Sequence, residues 1–133
     1  MGRILPKLRA QYGVDLVIAN GENAAGGWGL TEDTAHELFA AGVDCITSGN
    51  HIWREKGVLE FLEREAMLLR PLNYPAGTPG RGWVECKGVL VVNLQGCTFM
   101  NQIDCPFRGV DRLLGGHKGT RKAIVVDSHA EAT

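Results

Sequence analysis

Side chains of the types that bind divalent metals follow three apolar runs of this chain. Each run stops and gives way at once to amide, carboxylate or imidazole groups, in the segments Asn20-Gly21-Glu22-Asn23, Ser48-Gly49-Asn50-His51 and Asp127-Ser128-His129. An open α/β sheet gathers its chemistry at the carboxyl ends of its strands. Three strands that end in this way would deliver these groups to one pocket, and the sequence therefore suggests a hydrolytic metal site.

The first segment places a carboxylate, Glu22, directly beside an amide, Asn23. Oxygen donors of these two types suit Mn, Fe, Mg or Zn as divalent ions. A carboxylate can also bridge two metals that lie ~3.5–4 Å apart, as in two-metal phosphatases. The alternative is an ordinary turn, since the pair Asn20-Gly21 is of a type that is common in turns.

The second and third segments add two imidazoles. The amide oxygen of Asn50 could bind a metal while the neighbouring His51 donates a proton to a leaving group. The alternative makes Asn50 a helix cap and His51 a residue of the first helical turn. His129 could be a further metal ligand or part of an exposed polar end. The three segments together favour a functional site over three separate turns.

Alternating apolar and amphipathic segments predict the elements that position these residues. We expect strands at residues 14–19, 43–47, 83–87, 89–94 and 123–126. We expect helices at about residues 3–12, 31–42 and 56–66 and in a short segment that carries Val110, Leu113 and Leu114. The inward residues predicted for the second and third helices, the second capped by Thr31, are Ala35, Leu38, Phe39, Val58, Leu59 and Leu62. The strand–helix alternation predicts one α/β domain over residues 1–133.

The composition narrows the classes of partner. The chain has 133 residues and a net charge of −1, and its basic residues are scattered, which disfavours nucleic acid and anionic membrane surfaces. Its apolar runs are too short to span a bilayer. The cysteines, Cys45, Cys86, Cys97 and Cys105, form no Cys-x-x-Cys pair and so have no zinc-ribbon spacing. We therefore expect a cytoplasmic protein with free thiols.

Two other histidines and one glycine-rich stretch carry weaker signals. His36 is expected on a helix surface and His117 in a loop among glycines. The stretch Gly26-Gly27-Trp28-Gly29 fits neither Gly-x-Gly-x-x-Gly nor a Walker loop. No phosphate-binding loop of either type is predicted there.

Over almost its whole length the chain resembles the YmdB-like family of bacterial metallophosphoesterases with cyclic-nucleotide phosphodiesterase activity. The matching stretches are NGENAAGGWGLT (20–31), GVDCITSGNHIW (42–53), RPLNYPAGTPGRG (70–82), VVNLQGCTFM (91–100), DCPFR (104–108) and VDSHAEAT (126–133). This resemblance implies a calcineurin-like α/β sandwich with two divalent metal ions at the strand ends. Iron or manganese is expected ahead of magnesium or zinc.

The resemblance also implies a role for each matching residue. Carried over by position, Glu22 would bridge both metals, Asn23 would bind one of them, and Asn50 and His129 would bind the other. His51 would be the general acid that protonates the leaving oxygen. The implied reaction is in-line attack of hydroxide on a small phosphodiester such as a cyclic nucleotide, with the metals lowering the pKa of the attacking water.

The family pattern extends beyond the stretches found here. Members begin with a strand that ends in Gly-Asp, whose Asp binds a metal, and continue to a Gly-Thr-His-Thr-His segment with two more histidine ligands. We therefore expect a partial domain of weak activity, or one completed by a second copy or a complementing chain. The alternatives are a remnant that binds a partner or a nucleotide without catalysis, and a protein that binds one metal without turnover.

Overall fold

The computed structural model describes residues 2–116 and 122–132. Its strands are β1 (Ile18–Asn20), β2 (Cys45–Thr47), β3 (Trp83–Cys86), β4 (Val89–Gln95) and β5 (Ala123–His129). Its helices are α1 (Leu5–Tyr12), α2 (Glu32–Ala40), α3 (Val58–Arg64) and α4 (Pro106–Gly116), with a short 3₁₀ helix at Asn50–Trp53. The predicted α/β class is confirmed. His117 lies outside the described residues.

The described strands form two sheets whose parallel pairs end at the site. β1 and β2 pair in parallel, which places Asn20 beside Thr47. In the second sheet β4 is central, because it pairs with β3 antiparallel and with β5 in parallel. The β4–β5 register places Gln95 beside His129. Within each parallel pair, the two carboxyl ends therefore lie together.

Residues that follow α3 connect the two sheets. Leu68 forms a β-bridge with Ile46 of β2, and Leu69 forms one with Arg81, just before β3. Asn93 of β4 reaches the loop after β2: its Oδ1 accepts from the N–H of Ser48 at 2.8 Å and its Nδ2 donates to the carbonyl of Ser48 at 2.9 Å. Both groups are buried, so these bonds fix the end of β2 against β4.

α2 forms as its capping sequence predicts. The hydroxyl of Thr31 accepts from the N–H of Thr34 at 3.2 Å, and the hydroxyl of Thr34 accepts from the N–H of Thr31 at 3.0 Å. These reciprocal bonds satisfy two amide groups at the start of the helix. Ala35 is fully buried, while Leu38 and Phe39 pack partly buried against the same core cluster, as predicted.

The prediction that Leu59 of α3 faces the core was wrong. Val58 and Leu62 are buried as expected, but Leu59 is 40% exposed and Phe61 takes the third inward position. Residues three and four apart share one face of a helix. Val58, Phe61 and Leu62 form one such face. Leu59, although three residues before Leu62, lies at the exposed edge of this face.

Two strand boundaries differ from prediction by three or more residues. Residues 14–17 lie outside β1, where the carboxylate of Asp44 accepts the N–H of Val17 at 2.9 Å. A side chain that binds a backbone amide in this way competes with strand pairing. β5 instead runs three residues further than predicted and ends at His129. Its polar residues continue to pair with β4, whose buried run extends to the same point.

Cys45 and Cys86 are buried free thiols that belong to one core cluster with Leu69, Val84 and Val91. Burial raises the pKa of Cys45 to about 12 and also raises the pKa of Cys86. Both therefore act as small apolar groups rather than nucleophiles. Within the described ranges no helix is long and apolar enough to cross a membrane.

Candidate metal centre

The turn after β1 directs Glu22 back over the strand ends. The side-chain oxygen of Asn20 accepts from the N–H of Glu22 at 3.0 Å, which is an Asx turn. The N–H of Gly21 donates to the carbonyl of Thr47 at 2.9 Å, so the turn stays attached to β2. As a result Glu22 is only 1% exposed although it lies outside a strand.

The carboxylate of Glu22 lies between two imidazoles. Its Oε1 is 2.9 Å from Nδ1 of His51, and its Oε2 is 2.8 Å from Nδ1 of His129. Oε1 also accepts from the N–H of His51 at 3.2 Å. Both oxygens of one buried carboxylate are thus directed at separate groups, which is the disposition that a bridging ligand requires.

The two asparagines complete the group, which we call the Glu22 cluster: Glu22, Asn23, Asn50, His51 and His129. The amide oxygen of Asn23 is 3.0 Å from Nδ1 of His51, and that of Asn50 is 3.0 Å from Nε2 of His129. The structure therefore brings together all five residues that the sequence analysis selected. Their individual roles stay predictions.

Gly49 is a position of close approach that the sequence analysis did not select. A Cβ atom there would lie 2.3 Å from Oε2 of Glu22 and 2.5 Å from Cδ2 of His129. The backbone of the loop after β2 thus passes directly against both side chains, and only glycine leaves room for them. Its place between Ser48 and Asn50 in a predicted site segment was the one available signal.

Asp127 is a second residue whose role the sequence did not reveal. Its Oδ2 accepts a short hydrogen bond from the hydroxyl of Thr47 and a further bond from Nδ2 of Asn20 at 3.3 Å. Asp127 therefore connects β5 to the ends of β1 and β2. Because His129 lies two residues further along β5, this contact sets its position relative to Glu22.

Trp28 packs against the imidazole of His51. The two ring centroids are 4.6 Å apart with an interplanar angle of 57°. The guanidinium of Arg54 lies over the indole of this pair, 4.9 Å from the centroid of Trp28. Trp28 itself is 54% exposed, so the glycine-rich loop shields one side of His51 with an aromatic ring at the surface.

Residues 1–133 match the family described as YmdB-like protein. The chain belongs to the YmdB-like family. It is 44% identical over 133 residues to a Bacillus subtilis (strain 168) protein named 2′,3′-cyclic-nucleotide 2′-phosphodiesterase, an alignment that covers 97% of this chain and 50% of that relative. The chain thus spans half the length of this curated relative.

Two solved structures share the fold of this YmdB-like chain. A hypothetical protein from Thermus thermophilus has a TM-score of 0.88 at 47% identity, covering 98% of this chain and 52% of that one. A structure described as a novel phosphatase from Mycoplasma pneumoniae has a TM-score of 0.86 at 31% identity, covering 98% and 50%. The predicted family and its calcineurin-like α/β fold are confirmed.

The donor set of the YmdB-like chain fits divalent ions, with one carboxylate, two amide oxygens and one imidazole in the predicted ligand positions. Among residues 2–116 and 122–132, Glu22 contacts both His51 and His129, but no three His, Cys, Asp or Glu side chains are arranged around a common point where they could hold a metal ion. Two of the four predicted ligands, Asn23 and Asn50, are of none of these types.

Proposed function

We propose that this YmdB-like chain forms the centre of a metal-dependent phosphoesterase. The observation that carries this proposal is the convergence of the Glu22 cluster at the ends of β1, β2 and β5. A small phosphodiester is the favoured substrate, and a 2′,3′-cyclic nucleotide is the favoured class because of the name of the Bacillus subtilis relative.

Four residues of the cluster would hold the metals. Glu22 would bridge two divalent ions, for which iron and manganese are favoured over magnesium and zinc. Asn23 would bind one of these ions, and Asn50 and His129 would bind the other. When bound, such ions lower the pKa of water and neutralise charge on phosphoryl oxygens. Burial and the contacts with His51 and His129 hold the carboxylate of Glu22 in one orientation. This fixed orientation would reduce the reorganisation needed when a metal binds.

His51 is placed to act as a general acid. Its Nδ1 lies against two acceptors, Oε1 of Glu22 and the amide oxygen of Asn23, so that nitrogen carries a proton directed at them. Among the described residues no hydrogen-bond partner contacts its Nε2. In the imidazolium form, that nitrogen would carry the second proton and could donate it to the leaving oxygen of a substrate. The contact with Trp28 restricts the ring to this orientation.

Hydrolysis of two substrates by His51→Ala tests this assignment. The variant should lose about 10²–10⁴-fold in kcat on 2′,3′-cyclic AMP, whose alkoxide leaving group needs a proton, and much less on a nitrophenyl phosphodiester, whose phenolate does not. His36→Ala is the matched control, because His36 is exposed and, within the described ranges, makes its ionic contact with Glu32 and its ring contact with Phe61. Equal losses on both substrates would remove the acid role from His51.

The alternative of a non-catalytic nucleotide-binding domain makes a different prediction. It requires 2′,3′-cyclic AMP to bind without turnover at any concentration of Mn²⁺ or Fe²⁺. Turnover that depends on added metal and is lost in Glu22→Gln would exclude it. Binding that is unchanged by Glu22→Gln, with no turnover in either protein, would favour it over the proposed phosphoesterase.

A further inference from the structure

A second pocket lies between the loop after Arg70 and the start of α4, outside the Glu22 cluster. It encloses about 490 Å³, within the ~300–1,000 Å³ typical of small-molecule sites. Three guanidinium groups, one carboxylate, a phenol ring and an aliphatic side chain contribute to its wall: Arg70, Arg108, Arg112, Asp104, Tyr74 and Leu72. We call it the basic pocket, because its positive groups outnumber the negative one.

Arg70 brings a buried positive charge to the basic pocket without a counter-charge. The residue is 9% exposed. Its Nη1 donates to the carbonyls of Pro71 at 2.8 Å and Leu72 at 3.2 Å, and its Nη2 donates to that of Thr78 at 3.4 Å. No carboxylate in the described part of the chain forms an ion pair with it, and burial lowers its pKa. A buried cation with carbonyl partners alone is costly unless an anion compensates it.

One wall residue of the pocket, Arg70, and two residues next to that wall carry buried hydrogen-bond donors without a partner among the residues described. Across residues 2–116 and 122–132, three buried side-chain atoms lack a partner: Nε of Arg70, Nε1 of Trp53 and Nε2 of Gln95. All three are N–H donors. Tyr74 connects two of these residues, because its ring packs against Trp53 at 4.9 Å and its hydroxyl donates to Oε1 of Gln95 at 3.1 Å. Buried donors without acceptors are rare. Of the three residues, only Arg70 lines the pocket, where its Nε could serve a ligand rich in acceptors, and the other two lie behind Tyr74.

α4 adds two exposed cations to the same wall. Arg108 and Arg112 are four residues apart and therefore lie on one face of the helix. Like charges at this spacing repel each other, and an anion between them would remove that repulsion. Arg108 is also in the first turn of α4, where the helix dipole favours negative charge.

The basic pocket is connected to the Glu22 cluster through two intermediate residues, Gln95 and Trp53. Asn73 in its wall donates to the carbonyl of Gln95 at 2.8 Å and accepts from the N–H of Gln95 at 3.0 Å. Gln95 pairs with His129 across β4 and β5. Trp53, which packs against Tyr74, ends the 3₁₀ helix that follows β2. A ligand in the pocket would thus lie beside the same edge as the cluster.

We propose that the basic pocket binds a phosphate group of a nucleotide, separate from the phosphodiester that the Glu22 cluster would cleave. Guanidinium groups bind phosphate through paired, charge-assisted hydrogen bonds. Tyr74 and Leu72 supply apolar surface for the attached nucleoside. The phosphate site is inferred from the residues of the pocket and does not depend on the proposed function. That the bound nucleotide is the substrate of the Glu22 cluster does rest on the proposed function.

Calorimetric titration in EDTA tests the phosphate site without any metal or turnover. Adenosine 5′-monophosphate should bind at least about 10-fold more tightly than adenosine, and Arg108→Gln/Arg112→Gln should weaken it by about 10–100-fold. Arg3→Gln/Lys7→Gln, which removes two exposed positive charges in and beside α1, should stay within about 2-fold of wild type. Equal binding of nucleotide and nucleoside, or equal losses in the two double variants, would overturn the proposal.

Two further measurements identify the occupant. If inorganic phosphate binds as tightly as adenosine 5′-monophosphate, the nucleotide part of the proposal is wrong. In the metal-loaded chain, a 5′-phosphorylated 2′,3′-cyclic nucleotide should have a KM about 10-fold below that of its unphosphorylated counterpart, and the Arg108→Gln/Arg112→Gln variant should remove that difference. A difference that persists in the variant would contradict substrate binding there. Absence of any turnover would refute the proposed function, while the titration in EDTA would still decide the phosphate site.

Discussion

The two sides of the Glu22 cluster are supported very differently. Glu22 follows the end of β1, which pairs with β2. All three residues of β2, Cys45–Thr47, are fully buried. His129 stands at the end of β5, where Ile124 and Val126 are each 44% exposed. The two side chains are nevertheless only 2.8 Å apart. The buried side fixes the carboxylate, and the exposed strand brings a histidine to it.

Because β5 is more exposed than β2, only a few contacts hold His129 in position. Within the described ranges β5 pairs with β4 along one edge, and the side chain of Asp127 binds Thr47 and Asn20 across the gap to the other sheet. Regions with few buried apolar contacts open locally at lower free energy than the rest of a protein. Hydrogen exchange should therefore be faster for the amides of β5 than for those of β2.

The largest disturbance of this arrangement should come from Gly49→Ala. A methyl group there would overlap both Glu22 and His129 and so separate the two sides of the cluster. We expect a loss of about 3 kcal/mol in the free energy of unfolding, at the upper end of the usual cost of an inserted methyl group, and at least a 10-fold loss of Mn²⁺ affinity. Urea titration and calorimetry measure the two effects.

Gly57→Ala is the matched control for that substitution, because a Cβ atom at Gly57 would meet nothing within 4 Å and its φ is −68°. It should leave both quantities nearly unchanged. If Gly49→Ala leaves the free energy of unfolding and the Mn²⁺ affinity as unchanged as this control does, the close packing described around Gly49 would be contradicted.

A smaller disturbance, confined to the exposed side, should follow from Asp127→Ala. Removing this carboxylate leaves the buried hydroxyl of Thr47 without its acceptor, which should cost about 1–3 kcal/mol. Amide exchange should rise in β5 and not in β2. Ser128→Ala on the same strand is the control, since that side chain is exposed. Equal exchange in β2 and β5 of the Asp127 variant would show that the two sides do not differ as described.

The smallest effect should come from Asp44→Asn, on the buried side but away from the cluster. The carboxylate of Asp44 lies 3.0 Å from Arg9 and 2.8 Å from Lys87. Burial opposes its ionisation, yet hydrogen bonds from Lys87, Val17 and Arg9 together hold its pKa below the ordinary 3.8. The stabilisation is thus present above that value and is lost as the pH falls through the lower folded pKa.

We expect Asp44→Asn to cost about 1 kcal/mol at pH 7 and to flatten the loss of stability below about pH 4. Thermal unfolding measured across about pH 2–7 follows this change. Asp15→Asn is the control, because Asp15 is exposed and, among the described residues, its hydrogen bonds are accepted by its backbone carbonyl and not by its carboxylate. An acid limb as steep in Asp44→Asn as in wild type would contradict the assignment.

The sequence predicted best what depends on local pattern. Polar segments after β1 and β2 identified Glu22, Asn23, Asn50 and His51, because a buried strand followed by ligand-type residues is a signal confined to a few neighbouring positions. The cap at Thr31 was predictable for the same reason. Both features depend on residues that are adjacent in the chain.

What the sequence did not predict depends on contacts between distant segments. Asp127 acquires its role from Thr47, 80 residues earlier, and Gly49 acquires its role from the position of His129. The inward face of α3 was assigned to Leu59 instead of Phe61, since several spacings of apolar residues fit one short helix. The basic pocket joins segments around Arg70 and Arg108 that no spacing rule relates.

The most direct test of the account is a calorimetric Mn²⁺ titration of the purified chain and of Glu22→Ala. If Glu22 is the ligand shared by the metals, the wild type binds Mn²⁺ and the variant loses at least about 10-fold in affinity while its circular dichroism is unchanged. Glu37→Ala, an exposed carboxylate on α2, should bind as wild type does. Equal Mn²⁺ affinity of Glu22→Ala and wild type would contradict the proposed metal centre.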